Sequence, residues 1–432
     1  MFERFAIWEI RMTSFPNQNL ANATPLAPDG AVLPDGAVTR PNVPGTRGRA
    51  PLPTLPEPGR SLNESTIELS RRLAEFGPET HRTEGFPHRE FAELRHRGYY
   101  TITLPEGPLA AGRGHTAELL QVLKLVGRAN LPTGRIYEGH VNAIELLHLY
   151  GTDAQRERYY ADVRAGHLFG VWNTETHDGI HLYEQPDGRV RIEGHKSFCS
   201  GSVHVTRPII TGVLHRADGT EAGWQMVVVP LDRHDVPVDE SFWTPLGMQC
   251  SVSHKIDFSG IMLEPEELLG APDDYETQPH FSGGAIRFAA VHLGGAEALL
   301  DATAAFLRKV KRQENCYQKT RVGQMAIGVE TGNLWLDRAG AVNDQHADPE
   351  HIIAYANMTR TVIADVCTEA LQLAERSVGS RGLMHPGLLA RLHTDLSMYL
   401  RQPAPDATLE LVGQFNLKDD QSSHARYCGQ RL

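Results

Sequence analysis

Along this chain the spacing of apolar residues changes twice, and that order limits the folds open to it. Helical spacing dominates residues 61–167, alternation takes over across 168–275, and longer helical patterns return over 280–402. In the first part, Ser61 and Glu64 of "SLNE" form a capping box that opens a helix, and Gly77-Pro78 is expected to end it. Further helices are expected over 86–97, 116–129, 141–149 and 153–164. Leu119, Leu120, Leu123 and Val126 recur at helical spacing and mark a core face.

In the second part, "HLYEQPDGRVRIEGHKSF" reads as two strands around Pro186-Asp187-Gly188, with Val190 and Ile192 alternating against Arg189, Arg191 and Glu193. "RPIITGVLHRADGTEAGWQMVVVPL" repeats the scheme around Ala217-Asp218-Gly219, and "SHKIDFSGIML" adds a short strand. These imply hairpins of a small antiparallel barrel or sandwich. The third part holds Ala- and Leu-rich segments over 285–313, 320–342, 349–377 and 387–401, which suggest an antiparallel four-helix bundle. The expected class is α+β, mostly α, with an N-terminal helical domain, a β domain and a C-terminal bundle. Residues 1–60, rich in Pro, Gly, Asn and Ala, read as a disordered extension, and 403–432 as a C-terminal tail.

Composition narrows the partners. A net charge of −11 with no concentrated basic face argues against nucleic acid. The five cysteines are dispersed, without a CxxC, which suits a reducing cytoplasm better than a disulfide framework. No apolar run approaches the roughly 18 to 20 residues that cross a bilayer. The N-terminal "MFERFAIWEIRM" carries charges inside its apolar run and does not read as a signal peptide, and Met12 is an alternative start.

The order of the three parts and several local stretches resemble the acyl-CoA dehydrogenase family of flavoproteins, over about residues 61–400. "LGMQCSVSHKIDFSGIMLEPEELLG" (246–270) is similar to the family's "LGxxGxxxxxxxFxxVxVPxxxxLG", with Leu246-Gly247-Met248, Phe258 and Leu269-Gly270 in place. "GVWNTETHDG" (170–179) resembles its "xxxTEPxAGSD" loop, and "IEGHKSFCSGS" (192–202) its "xxGxKxWITNG". "KTRVG" (319–323) resembles "RxxFG", and "LHTDLSMYL" (392–400) resembles the "RxxRDxRxxxIYEG" helix. The resemblance implies FAD in a groove between the β domain and the bundle. Trp172 and Thr174 would stand at the flavin, Thr174 holding its pyrimidine edge. Phe198 would pack on the ring system in place of a Trp, and Ser200 would bond N5 in place of a Thr. A neighbouring subunit would supply Lys319 or Arg321 to the pyrophosphate, and Gln372 and Gly379 would lie near the adenosine. A homodimer or homotetramer follows from the same resemblance.

Two departures bear on activity. A family dehydrogenase needs a carboxylate within hydrogen-bond reach of the substrate's α-proton. The family's two positions for it fall on Pro403 and Ile286, so no catalytic base is identified. The helix carrying Leu396, Met398 and Tyr399 is broken at Pro403 and Pro405, where the base would sit. Ile180 replaces a Ser expected at the FAD pyrophosphate. Asp406, Glu410, Glu175 and His177 remain alternative bases, with Glu175 read as structural and Asp406 as an exposed loop acid. His177, Asp178 and His181 fall in this region, but Gly179 between His177 and His181 makes a helix there unlikely and no third ligand joins the two histidines, so no metal is expected. The expected function is an FAD-dependent oxidoreductase acting on the CH–CH group of an acyl thioester or related small molecule, its electron acceptor open. The alternatives are a flavin-dependent monooxygenase or oxidase of the same fold, or a noncatalytic homologue.

Overall fold

A computed structural model describes residues 55, 59–175, 179–345 and 348–427. Every described residue belongs to one compact unit, Pro51–Leu432. His177, Asp178 and nearly all of the 1–60 extension lie outside the described residues.

Helix α1 (Leu62–Thr83) opens as its sequence requires. Ser61 Oγ accepts from Glu64 N at 3.2 Å, and the Glu64 carboxylate accepts from Ser61 N at 2.9 Å. It does not stop at Gly77-Pro78 but continues to Thr83. The proline removes one backbone donor, yet the buried stripe of Leu69, Leu73, Phe76, Thr80 and His81 runs past it. At Gly77 a Cβ would lie 2.9 Å from Arg391 Nη1, so this glycine admits a packed side chain rather than a helix end.

Helices α2 (His88–His96), α3 (Thr116–Ala129), α4 (Leu131–Tyr150) and α5 (Asp153–Ala165) complete the first helical region. The expected helix over 141–149 in fact begins at Leu131, where Asn130 accepts from Thr133 N at 3.1 Å and Pro132 occupies the first turn. Gly134 and Gly139 conceal its pattern in the sequence. They are tolerated because α4 is packed closely, a Cβ at Gly134 falling 2.6 Å from Val291 Cγ1.

Among the described residues the central region holds ten strands: β1 (Phe169–Trp172), β2 (His181–Glu184), β3 (Val190–Glu193), β4 (His195–Cys199), β5 (Arg207–His215), β6 (Glu221–Val228), β7 (Val238–Asp239), β8 (His254–Asp257), β9 (Met262–Leu263) and β10 (Leu268–Leu269). The β2–β3 and β5–β6 hairpins form antiparallel as expected. The larger, seven-stranded sheet is mixed, because β1 and β2 each pair in parallel with β5. A separate three-stranded sheet runs β4-β8-β7.

The chain then returns to helices: α6 (His280–Gly283), α7 (Ala285–Lys309), α8 (Cys316–Asp344), α9 (Pro349–Gly382) and α10 (Leu388–Tyr399). Helix α7 crosses α3 so closely that a Cβ at Gly294 would sit 2.1 Å from the Lys124 carbonyl oxygen. Gly379 breaks the helical geometry of α9 at φ 58°. The residues after the proline break are not a structureless tail. Helix α11 (Pro405–Leu417) packs against α9, and α12 (Ser423–Tyr427) follows. Pro405 is tolerated because it occupies the first turn of the new helix, where its missing donor has no intrahelical partner to lose. Asp406 is therefore a first-turn helical acid, exposed, rather than a loop residue.

Candidate functional site

Two strained turns meet at the end of the smaller sheet. One follows β4, with Phe198, Gly201 and Ser202 all at positive φ; the other carries Met248 and Val252 in the same region. Backbone strain of this kind persists only when the surroundings hold it. Here Gly201 N donates to the Ser251 carbonyl at 2.8 Å, and Ser200, Ser253 and Ser251 form a hydroxyl chain with links of 2.9 and 2.8 Å. Trp172 Nε1 donates to the Ser200 carbonyl at 3.0 Å and fixes the turn from the other side.

The left-handed backbone at Phe198 turns its ring outward, where it is 43% exposed and edged by Phe242 at 5.1 Å. Thr174 is exposed, and its carbonyl accepts from Ser197 N at 3.1 Å. A shallow hollow, too tight to enclose a water molecule, lies beside them, lined by Arg135, Gly139, Gly170, Trp172 and Ser200 among others. Four expected residues, Trp172, Thr174, Phe198 and Ser200, therefore stand on or next to the β1 and β4 ends.

The other four lie at one end of the bundle. Lys319 is exposed and ion-paired with Glu314 at 2.7 Å. Arg321 Nη1 donates to the Arg376 carbonyl at 2.8 Å, which ties the start of α8 to the end of α9. Gln372 and Gly379 are exposed on α9. No hydrogen bond joins this group to Ser200 among the described residues.

The residues at the departures are also placed. Ile180 is buried, its N–H donating to Glu175 Oε1 at 3.1 Å, and Glu175 also pairs with fully buried Lys196 at 2.5 Å. Burial pushes the Lys196 amine down to about 8 while Glu175 opposes that shift. Glu175 is thus a structural anchor for its loop, as expected. Ile286 is buried in α7, and the Pro403 carbonyl accepts from Arg360 Nη2 at 2.8 Å. Glu410 is exposed on α11.

Sequence reading missed a polar cluster beyond Arg135. Arg135 Nη1 pairs with buried Glu138 Oε2 at 2.7 Å, Asn142 Nδ2 donates to Glu138 Oε1, and Arg287 Nε donates to Asn142 Oδ1 at 2.5 Å. Tyr275 and Tyr399 feel the charges of both Arg135 and Glu138. Burial pushes the Tyr275 phenol up to about 12 and raises the Tyr399 phenol well above its ordinary value. His292 crosses Tyr399 edge to face at 4.4 Å, and burial drives its imidazole down to about 3, so it is neutral at pH 7. Spacing could have revealed part of this cluster, since 135, 138 and 142 share one helical face. The late start assigned to that helix concealed it.

Among the described residues no group of three or more His, Cys, Asp or Glu could hold a metal ion, and no helix is long and apolar enough to cross a membrane. The family profile "Acyl-CoA dehydrogenase, N-terminal domain" matches residues 67–167, and "Acyl-CoA dehydrogenase, C-terminal domain" matches residues 277–400. Dibenzothiophene monooxygenase of Rhodococcus erythropolis is 24% identical over 274 residues, covering 59% of this chain. That match spans 65% of the relative's own length, just under two thirds. "Probable acyl-CoA dehydrogenase YngJ" of Bacillus subtilis is 22% identical over 70% of this chain and 83% of its own length. FMN-bound TdsC from Paenibacillus sp. A11-2 superposes with a TM-score of 0.75 at 20% identity, covering 82% of this chain and 97% of its own. Butyryl-CoA dehydrogenase from Megasphaera elsdenii gives 0.72 at 16% identity, covering 82% and 98%. With the two profiles matching on either side of the strands and together spanning just over half of its length, the chain belongs to the acyl-CoA dehydrogenase family.

Proposed function

We propose that this chain is a flavin-dependent oxidoreductase of the monooxygenase type, acting on a small molecule beside Ser200. The observation that carries this reading is the state of the carboxylates. Ile286 is sealed in the core, Pro403 offers only a carbonyl already bound by Arg360, and Glu138 has each carboxylate oxygen engaged, one by Arg135 and one by Asn142. Abstraction of an α-proton needs a free base within hydrogen-bond reach. Insertion of oxygen does not. The TdsC structure with bound FMN and the dibenzothiophene monooxygenase relatives support the same choice.

The residues present fit a flavin. An outward aromatic face at Phe198, a buried hydroxyl at Ser200 and the exposed Thr174 supply the flat wall and polar edge an isoalloxazine needs. FAD follows the family pattern, with Lys319 or Arg321 of a second copy reaching its pyrophosphate and Gln372 and Gly379 near its adenosine, which makes the working unit at least a dimer. When bound and reduced, the flavin supplies two electrons to oxygen, so that one oxygen atom enters the substrate and the other leaves as water.

The chain's own groups then have separable tasks. The Ser200–Ser253–Ser251 chain fixes the hydroxyl at the hollow and lets it donate or accept. Trp172 holds the turn. Arg135 presents a cation at the hollow and stabilises negative charge that develops there. Neutral His292 and Tyr399 offer hydrogen bonds rather than charge.

The second reading is dehydrogenation of an acyl thioester. It requires Glu138, a buried carboxylate paired with Arg135, to be released from Arg135 and Asn142 so that it can act as the base. One experiment separates the readings. The purified protein is loaded with flavin and followed by its visible spectrum, then given acyl-CoA without oxygen, or given reduced flavin and oxygen with consumption recorded. Oxygen consumption coupled to an oxygenated product supports the monooxygenase, and anaerobic bleaching by acyl-CoA supports the dehydrogenase. A protein that takes up no flavin refutes both.

A further inference from the structure

The polar cluster beyond Arg135 is built with an excess of positive charge. Three guanidinium groups, Arg135, Arg287 and Arg360, stand with one carboxylate, Glu138. Glu138 is committed to Arg135. Arg287 bonds the neutral amide of Asn142. Arg360 reaches from α9 over the Phe288 ring at 5.2 Å and donates to the Pro403 carbonyl, with no carboxylate partner among the described residues. The position at which the family dehydrogenases need an acid is therefore met here by a cation.

A second, independent feature coincides with this charge. Among the described residues Tyr399 Oη and His292 Nε2 are both buried without a hydrogen-bond partner, while the His292 ring also donates toward the Tyr399 backbone carbonyl. Buried polar atoms left unsatisfied cost free energy, and a pair in contact points to something that completes them. Phe288 packs against His292 at 5.4 Å, so apolar and aromatic surface borders the same atoms.

We propose that this cluster is the substrate subsite, and that it takes a small aromatic or compact organic anion with paired oxygens, a carboxylate or a sulfinate. Arg360 forms the charge-assisted contact, and the Tyr399 hydroxyl and His292 Nε2 complete the hydrogen bonding. A planar guanidinium fork matches two coplanar oxygens, whereas a thioester carbonyl offers one neutral acceptor. Phe288 stacks beneath the guanidinium and holds it flat. This inference rests on the monooxygenase reading for the meaning of the subsite, but binding itself needs no turnover.

The test is calorimetric titration of the full-length protein, without and with added FAD, using benzoate, benzenesulfinate and acetate, and neutral benzamide as the isosteric control. At least one anion is expected to bind at least tenfold more tightly than benzamide. Arg360→Gln is expected to weaken it by about 10- to 100-fold, the loss for one charge-assisted contact. Arg360→Lys keeps the charge and is expected to recover part of that loss, and Tyr399→Phe to weaken binding by several-fold. Equal binding of benzamide, binding unaffected by Arg360→Gln in a variant with parental circular dichroism, or no binding by any of the anions overturns the proposal. Flavin uptake is read separately from the visible spectrum. Anion binding without flavin uptake leaves the subsite standing while the flavin reading falls, and the converse result does the reverse.

Discussion

Two arginines that reach into this protein meet opposite surroundings. Arg207, at the start of β5, is 3% exposed in its side chain and is held by Asp162 at 2.7 Å and Asp232 at 2.5 Å, with a further bond to the Thr206 carbonyl. Those acids keep the guanidinium firmly charged, offsetting the burial that opposes it. Arg360 has one carbonyl and an aromatic ring, and burial pulls its affinity for the proton down. A buried charge completed inside its own chain belongs to the fold. Arg360 is only half-buried and has no acid beside it among the described residues, which is the setting our proposal assigns to a ligand.

The largest effect should come from breaking the first of these. Arg207→Met leaves Asp162 and Asp232 facing each other without a cation, and loss of one partner from a buried pair costs about 3 kcal/mol. Urea unfolding of Arg207→Met and Arg360→Gln side by side measures the contrast. Arg360→Gln removes a desolvated charge with no acid to orphan, so its stability should stay within about 1 kcal/mol of the parent. Equal losses in the two variants would remove the distinction between a fold-completing and a ligand-completing arginine.

A second buried charge sharpens the point through pH. Asp395 on α10 accepts from Met248 N at 2.6 Å and thereby ties the bundle to the strained 248–252 turn. Burial raises its carboxyl from an ordinary 3.8 to about 6, with the Met248 amide and Arg391 opposing the rise. Because the folded pKa is raised, the folded state holds the proton more tightly than the unfolded chain. The penalty is absent below about pH 4, grows as the pH climbs, and is complete above about pH 6, an upper bound of about 3 kcal/mol. Stability should therefore fall as pH rises through that window. Asp395→Asn keeps the acceptor and should flatten this part of the Tm profile. Buried Glu90 is raised in the same direction, so the informative quantity is the difference between the variant and the parent. Parallel profiles would mean that Asp395 does not titrate there.

How much of this was readable from the sequence differs between the two kinds of region. Helix caps, hairpin turns and the buried stripe of α3 are local in the chain, and they were legible because capping boxes, Asp-Gly turns and periodicity act over a few residues. The Gly77-Pro78 step was misread because Arg391, which packs on Gly77, is remote in sequence. The 403–432 segment was misread because Pro405 marks a helix start as readily as a stop. Trp172, Thr174, Phe198 and Ser200 were proposed through a motif, and the structure places them on or next to the ends of β1 and β4. Arg360 and His292 belong to no motif, Tyr399 lies in one without being marked out by it, and only the packing of α7, α9 and α10 brings them together.

The hollow offers the next prediction in size. Ser200→Ala removes the hydroxyl that the Ser253–Ser251 chain aims, and one hydrogen bond to a bound group is worth about 10-fold in affinity. FAD retention after gel filtration should fall while the unfolding midpoint stays near the parent. Unchanged retention in Ser200→Ala, Phe198→Ala and Thr174→Ala together would move the flavin elsewhere.

The smallest effect on the isolated chain, and the sharpest on the assembled one, is expected at Lys319. Its ion pair with Glu314 is exposed on both sides, 58% and 80%, and pairs of that kind add little to stability. Lys319→Ala should leave the unfolding midpoint unmoved. If Lys319 of one copy faces the flavin phosphates of another, the variant should nevertheless lose FAD more readily, and raised salt should weaken retention in the parent more than in the variant. FMN carries fewer groups toward that end, so its retention should suffer less from loss of Gln372 than FAD does. A Lys319→Ala protein that keeps FAD like the parent at every salt concentration would confine the cofactor to the Ser200 side. The exposed ends of α8 and α9 would then be surface in the same sense that the Arg207 cluster is fold, complete without anything bound.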